Sequence, residues 1–322
     1  MKYTHLGRSG LTVSRLCLGT MNFGWKTEEF DAHAIMDRAH DEGINFFDTA
    51  NVYGFDAGKG RTEEVLGSWF ARGGERREKT VLATKVYGSM TDWPNDTFLS
   101  ARNIVRACEG SLRRMQTDWI DLYQFHHVDV RTPWEEIWQA CETLVAQGKV
   151  LYVGSSNHAA WQIAAANEAA ARRNYQGLVS EQSHYNLLTR HVELEVLPAA
   201  THYGVGIIPW SPLAGGLLAG VLEKTEGGRR NEQRNQDRVE KHRPALEQYE
   251  AFCRELGRAP ADVGLAWLLH QKAVTAPIVG PRTMAQFEGS LAALAVELDD
   301  AALDRLDEIF PGYKAAPMEY AW

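Results

Sequence analysis

The 322-residue sequence has only four cysteines, Cys17, Cys108, Cys141 and Cys253, widely separated and never in a CxxC pair. That excludes a disulfide framework and suits thiols kept reduced, so a cytoplasmic location is expected. No run of 18 apolar residues occurs, which excludes a transmembrane helix. The opening MKYTHLGRSG also lacks the apolar stretch of a signal peptide. There is no excess of positive charge: 34 Lys and Arg stand against 42 Asp and Glu, a net charge of −8. A nucleic-acid footprint and a polybasic membrane anchor are therefore not expected. No G-x-G-x-x-G turn, H-x-H pair or HExxH motif is present. The adjacent pair His126-His127 sits on an expected strand, where consecutive side chains point to opposite faces, so no metal site is expected.

What is present is alternation. Short apolar, β-rich runs recur at Leu16–Gly19, Asn45–Ala50, Val81–Val86, Ile120–His126, Val150–Ser155, Leu178–Gln182, Gly206–Trp210 and Ala276–Gly280. Segments of helical spacing lie between most of them. Ala32, Ile35, Met36 and Ala39 form one face ending at Gly43, and Ile104, Cys108, Leu112 and Met115 follow Ser100. Trp134, Ile137, Trp138, Cys141, Leu144 and Val145 form a third face, with Thr132 as N-cap, Pro133 in the first turn and Gly148 as the stop. Eight strands in this length give about 40 residues per strand–helix unit, the period of a (β/α)₈ barrel. An open doubly wound sheet is the other way to bury such strands, but it usually carries the glycine turn that is missing here. The expected fold is thus a single α/β domain over residues 1–322, a (β/α)₈ barrel. Residues 2–15 suit a short β-hairpin beneath it, and the charged stretch Glu223–Pro244 reads as a long loop.

In such barrels the reacting groups stand at the carboxyl ends of the strands. Those ends carry Asp48, Lys85 and His126, with Tyr53 in the loop after Asp48. Further round the rim come Ser155, Ser156 and Asn157, then Gln182, Trp210 and Ser211, and finally Gly280 and Arg282. Each has an ordinary structural reading as well: a helix cap for Asp48, a structural ion pair for Lys85, a loop aromatic for Tyr53, a satisfied core histidine for His126. Together they match one chemistry. Hydride reduction of a carbonyl leaves an alkoxide that must be protonated as it forms. A tyrosine hydroxyl, of ordinary pKa about 10, becomes a better acid beside an ammonium. Lys85 supplies the ammonium, Asp48 holds it, and His126 donates a hydrogen bond to the substrate oxygen.

The segments GINFFDTANVYG (43–54), LATK (82–85), DLYQFH (121–126), GSSNH (154–158), EQSHYNLL (181–188) and PWSPLAGGLLAG (209–220) occur in one order along nearly the whole chain. With LGRSGLTVSRLCLGT at the start and IVGPRTMAQFEGSL near the end, the sequence resembles the aldo-keto reductase superfamily. The resemblance implies a barrel that binds NADP(H) in extended form, with Asp48, Tyr53, Lys85 and His126 as the catalytic tetrad. It also implies that Ser156, Asn157 and Gln182 hold the nicotinamide carboxamide and that Trp210 stacks on the ring. Thr20, Met21, Ser211, Leu213, Gly215 and Gly280 would line the rest of the cofactor path. Arg282, Thr283 and Gln286, with Ser290 beyond, would surround the 2′-phosphate at a helix start.

Two positions depart from the family pattern. Gly289-Ser290 replaces a frequent Glu-Asn pair, which weakens polar contacts to adenine. Val221 stands where a phosphate-contacting lysine is often found, for which Lys224, Arg229 or Arg230 is a substitute. The substrate pocket is expected to use Trp25, Phe55, Tyr87, Trp93, His127 and the tail residue Trp322. Such a lining suits small aldehydes and sugar-derived carbonyls, including nucleotide-linked keto-deoxysugars. Among relatives the style is closest to the bacterial and potassium-channel β-subunit branches, so the alternative is an NADP-binding regulatory protein with little turnover. The channel subunits carry Asn at the place of His126, and the intact tetrad favours an enzyme.

Overall fold

The computed structural model describes residues 1–223 and 233–314. Lys224, Arg229, Arg230 and Trp322 lie outside the described residues. A hairpin opens the chain, with β1 (Tyr3–His5) antiparallel to β2 (Thr12–Ser14). Eight parallel strands follow: β3 (Cys17–Gly19), β4 (Phe46–Asp48), β5 (Val81–Val86), β6 (Ile120–Phe125), β7 (Val150–Ser156), β8 (Leu178–His184), β9 (Gly206–Trp210) and β10 (Ile278–Val279). They pair in the order β10-β3-β4-β5-β6-β7-β8-β9. The ring is closed where Ile207 donates to the carbonyl of Ala273 (3.1 Å) and accepts from Thr275 N–H (2.8 Å). The fold is a (β/α)₈ barrel, as expected from the strand spacing.

Two cores follow from the period-2 alternation of strand side chains. Phe46, Ala83, Leu122 and Ile208 fill the barrel, joined from below by Leu6 and Val13 of the hairpin region. Their neighbours Phe47, Leu82 and Tyr123 point outward, under the helices. Helix α1 (Glu29–Asp41) buries Ala32, Ile35, Met36 and Ala39. α2 (Arg61–Phe70) precedes α3 (Ala101–Met115), which starts where Ser100 Oγ accepts from Asn103 N–H and buries Ile104, Cys108, Leu112 and Met115. α4 (Trp134–Ala146) buries Ile137, Trp138, Cys141 and Leu144. α5 (Ala160–Ala171) and α6 (Val196–Tyr203) continue the same ring. All four cysteines are buried and free.

The structure corrects three expectations. Thr132 is not the N-cap of α4: Pro133 holds that position, and the Thr132 hydroxyl donates instead to Asp129. The charged stretch to Pro244 is not a loop from residue 233 onward. There α7 (Gln233–Glu255) runs straight through Pro244. Val239, Leu246, Tyr249 and Cys253 are buried at helical spacing, and that burial outweighs the backbone bond Pro244 removes. Third, the rings of His126 and His127 do not point to opposite faces. β6 ends at Phe125, pleating stops, and the two imidazoles stack with centroids 4.9 Å apart. Helices α8 (Pro260–His270), α9 (Met284–Leu291) and α10 (Asp300–Ile309) finish the chain. Among the described residues no helix is long and apolar enough to cross a membrane.

Candidate active site

Alternation sets the site. Asp48 stands one step above Phe46 on the inner face of β4, and Lys85 one step above Ala83 on β5, so two charged groups crown an apolar barrel. Lys85 is fully buried and Asp48 nearly so. A pair this dry persists only when its hydrogen bonds are satisfied. Lys85 Nζ has three donors, and each has a target: Asp48 Oδ2 at 2.6 Å, the Thr49 carbonyl at 2.8 Å and Tyr53 Oη at 3.3 Å. Tyr53 thus accepts from the ammonium, which leaves its own hydrogen free to be given elsewhere. Gly54, at φ +137°, makes the turn that brings Tyr53 back over the barrel. A Cβ there would meet the Gly58 carbonyl at 2.0 Å, so only glycine serves.

Burial is the largest influence on the Tyr53 phenol and pushes its pKa up. Lys85 pulls it down and Asp48 raises it, and the net direction is upward. The ammonium moderates the phenol without taking it below its ordinary value, and the group is protonated at neutral pH. Burial alone would lower Lys85, but Asp48 and Tyr53 together hold it above its usual range. The His126 ring lies edge-on to Tyr53, with centroids 5.8 Å apart. Burial, then the charge of Lys85, pushes the His126 imidazolium pKa down to about 2, so this side chain is neutral. It offers one N–H as a donor and no charge.

The other oxygen of Asp48 accepts from Gln124 Nε2 (3.0 Å) and Gln182 Nε2 (2.8 Å). Gln182 reaches the axis because β8 carries an extra residue. The pairing steps from Val153↔Leu178 to Ser155↔Glu181, a bulge that changes which residues face inward. Ser156 Oγ donates to the Gln182 carbonyl at 2.8 Å. Asn157, at φ +62°, donates to the His126 carbonyl and to Ser156 Oγ, and its Oδ1 accepts from Trp210 Nε1 at 3.1 Å. The Trp210 ring is backed on one face by His184, with centroids 4.2 Å apart and planes nearly parallel. One flat indole face and the free Gln182 Oε1, which no donor reaches among the described residues, suit a planar ring bearing a carboxamide.

The remaining residues line one rim. Thr20 Oγ1 donates to the Asp48 carbonyl, and Met21 follows in the turn after β3. Gly280 accepts from Asn22. Ser211, Leu213 and Gly215 form the turn after β9, and the Ser211 carbonyl accepts from Asn186. Thr283 caps α9 by accepting from Gln286 N–H, while Gln286 Oε1 accepts from Arg282 N–H. Ser290 is bonded back to the Gln286 carbonyl. Gly289 is open, with nothing near a would-be Cβ, and Val221 is buried in the core.

Of the pocket candidates, Trp25 and Phe55 pack with tilted rings, centroids 4.3 Å apart, and Tyr87 packs against His127 at 5.2 Å. Trp93 is largely exposed, and no ring contact joins it to these pairs among the described residues. Also among them, no cluster of His, Cys, Asp or Glu is placed to hold a metal.

Strand-end reading missed three residues here. Gln124 is a polar position near the end of a largely apolar strand, IDLYQF, which is the signal that marks it, whereas Glu181 lies in the mostly polar LVSEQSH, where no such contrast marks it. Glu181, fully buried, accepts from the Ser155 and Ser183 hydroxyls and from His158 N–H, and burial raises its pKa to about 7. His184 gave no sequence signal, because its role depends on the ring beside it.

A buried ammonium–carboxylate pair thus lies beneath a tyrosine at the barrel mouth. The family profile described as "Aldo/keto reductase family" matches residues 15–310, and the chain belongs to that family, whose members generally use NAD(P)H. Across the full length of both chains it is 54% identical to the "Uncharacterized oxidoreductase YrpG" of Bacillus subtilis. It is 33% identical to a "Probable voltage-gated potassium channel subunit beta" of Arabidopsis thaliana, over 99% of this chain and all of the relative. It is 34% identical to "Norsolorinic acid reductase stcV" of Emericella nidulans, over 97% of this chain and 82% of the relative.

Proposed function

We propose that this protein is a cytoplasmic, NADPH-dependent reductase that converts an aldehyde or ketone to an alcohol. The observation that carries the reading is the Lys85 ammonium. All three of its N–H groups are committed, one of them to Tyr53 Oη, so the phenol accepts inward and donates outward. A reduced nicotinamide bound along the rim would supply the hydride. Gln182, with Ser156 and Asn157 beside it, would hold its carboxamide; Trp210 would support the ring; Arg282, Thr283 and Gln286 would take the 2′-phosphate.

The chain's own residues then handle the oxygen. His126, neutral, donates a hydrogen bond that orients the carbonyl. Tyr53 passes its proton to the oxygen as negative charge develops there. Lys85 stabilises the phenolate left behind, and Asp48 keeps Lys85 in place. The aromatic pairs Trp25–Phe55 and Tyr87–His127, which belong to the loops that carry Tyr53 and His126 and to their neighbours, would accept the substrate body, a small aldehyde or a sugar-derived carbonyl.

NADPH oxidation followed across aldehydes, cyclic ketones and keto-sugars tests the reading. Turnover with at least one class is expected, with NADPH bound about 10-fold or more tightly than NADH. Arg282→Ala should narrow that gap. NADPH binding with no turnover of any class would favour a regulatory role, and equal binding of the two cofactors by the parent would reject Arg282.

A further inference from the structure

The two oxygens of Asp48 serve different neighbours. Oδ2 takes the Lys85 ammonium, while Oδ1 accepts from both Gln124 and Gln182. A carboxylate only accepts, so each amide must turn its NH₂ end toward it. For Gln182 this decides which way the group faces: Nε2 points inward and Oε1 is left at the barrel mouth. Gln124 imposes the same choice a second time. Its own Nε2 is committed to Asp48, so its Oε1 faces Gln182, and Gln182 Nε2 meets that oxygen at 3.3 Å. A flipped Gln182 would set its oxygen against two acceptors in a dry interior, where unpaired polar contacts are most unfavourable.

Room for this arrangement comes from Gly154 on β7. A Cβ there would lie 2.3 Å from Ser180 Oγ and 3.3 Å from Gln124 Cγ. The same three strands that carry apolar residues lower down thus carry an interlocked Asp–Gln–Gln layer at the top.

We propose that Asp48 and Gln124 are positioning residues that lock the Gln182 amide as an acceptor toward the cofactor, so that the nicotinamide carboxamide must present its NH₂ to Gln182. One carboxylate then ties the proton-donating pair to the orientation of the hydride-bearing ring. The inference rests on the nicotinamide reading given above and adds to it the direction of one hydrogen bond and the residues that fix it.

Binding without turnover tests it, read by quenching of tryptophan fluorescence. Three ligands are compared: NADP⁺, its thionicotinamide analogue, which keeps the NH₂, and its 3-acetylpyridine analogue, in which a methyl replaces it. The parent should bind the first two alike and the acetyl analogue about 10-fold more weakly, the effect of one lost hydrogen bond in a buried site. In Asp48→Asn the side chain at 48 can present either nitrogen or oxygen. Gln182 is then released, and the gap should shrink to about 2-fold or less. Gln124→Leu removes the second constraint and should fall between the two. A parent that binds all three ligands equally would overturn the proposal with no variant needed, as would a folded Asp48→Asn that keeps the full gap. A parent that fails to bind NADP⁺ at all would overturn the functional reading itself, a separate result.

Discussion

Replacing Tyr53 with Phe should lower carbonyl reduction by about 10³-fold or more while changing the Kd for NADPH by less than about 2-fold. The substitution removes one oxygen and leaves the ring, so its edge-on contact with His126 survives. What disappears is the one hydroxyl that Lys85 reaches among the described residues. His126 cannot stand in as an acid of similar strength. Burial and the neighbouring ammonium hold its imidazolium pKa at about 2, so at neutral pH it has no proton of that kind to give. Steady-state kcat and fluorescence titration on the same preparation separate the two effects. A Tyr53→Phe variant retaining most of its kcat would remove Tyr53 from the acid role.

Replacing Lys85 with Met should affect both stability and turnover. The methionine fills the space, but Asp48 is left as a buried carboxylate with two amides and no cation. Breaking a buried pair in this way costs about 3–5 kcal/mol, more than removing both partners together. Turnover should fall by about 10²–10³-fold, because the phenolate formed at Tyr53 loses its counter-charge. Urea unfolding measures the first effect and kcat the second. A variant as stable as the parent would show that the pair is not held in a dry interior, and unchanged kcat would show that the phenol does not depend on it.

The sequence exposed the parts of this arrangement that obey simple periods. Strand positions follow from apolar runs, and Asp48 and Lys85 are conspicuous because charged residues end those runs. Gln124 was equally visible as a polar residue within Ile120–Phe125. Attention to strand ends alone passed over it, since inside a barrel the top layer begins one or two residues earlier. The β8 bulge was not legible. An extra residue in a parallel ladder is set by how β7 and β8 pair, and nothing local in LVSEQSH announces it. Without the bulge, alternation would not predict that Gln182 faces the axis while Glu181 turns beneath the Ser155–His158 loop. The helix around Pro244 was hidden for another reason: a dense run of charge masked the sparse apolar stripe of Val239, Leu246, Tyr249 and Cys253. The His126–His127 stack likewise depends on where pleating stops, a boundary that sequence period places only to within a residue or two.

The most direct test follows the reaction in both directions against pH. A phenol whose pKa is pushed up by burial is protonated through neutral pH, so carbonyl reduction should be flat there and fall only on the alkaline side. Alcohol oxidation needs the phenolate and should rise with pH over the same range. One shared alkaline pKa is expected for the two opposite limbs, absent from both in Tyr53→Phe. Oxidation independent of pH, or a shared limb that persists in Tyr53→Phe, would contradict it.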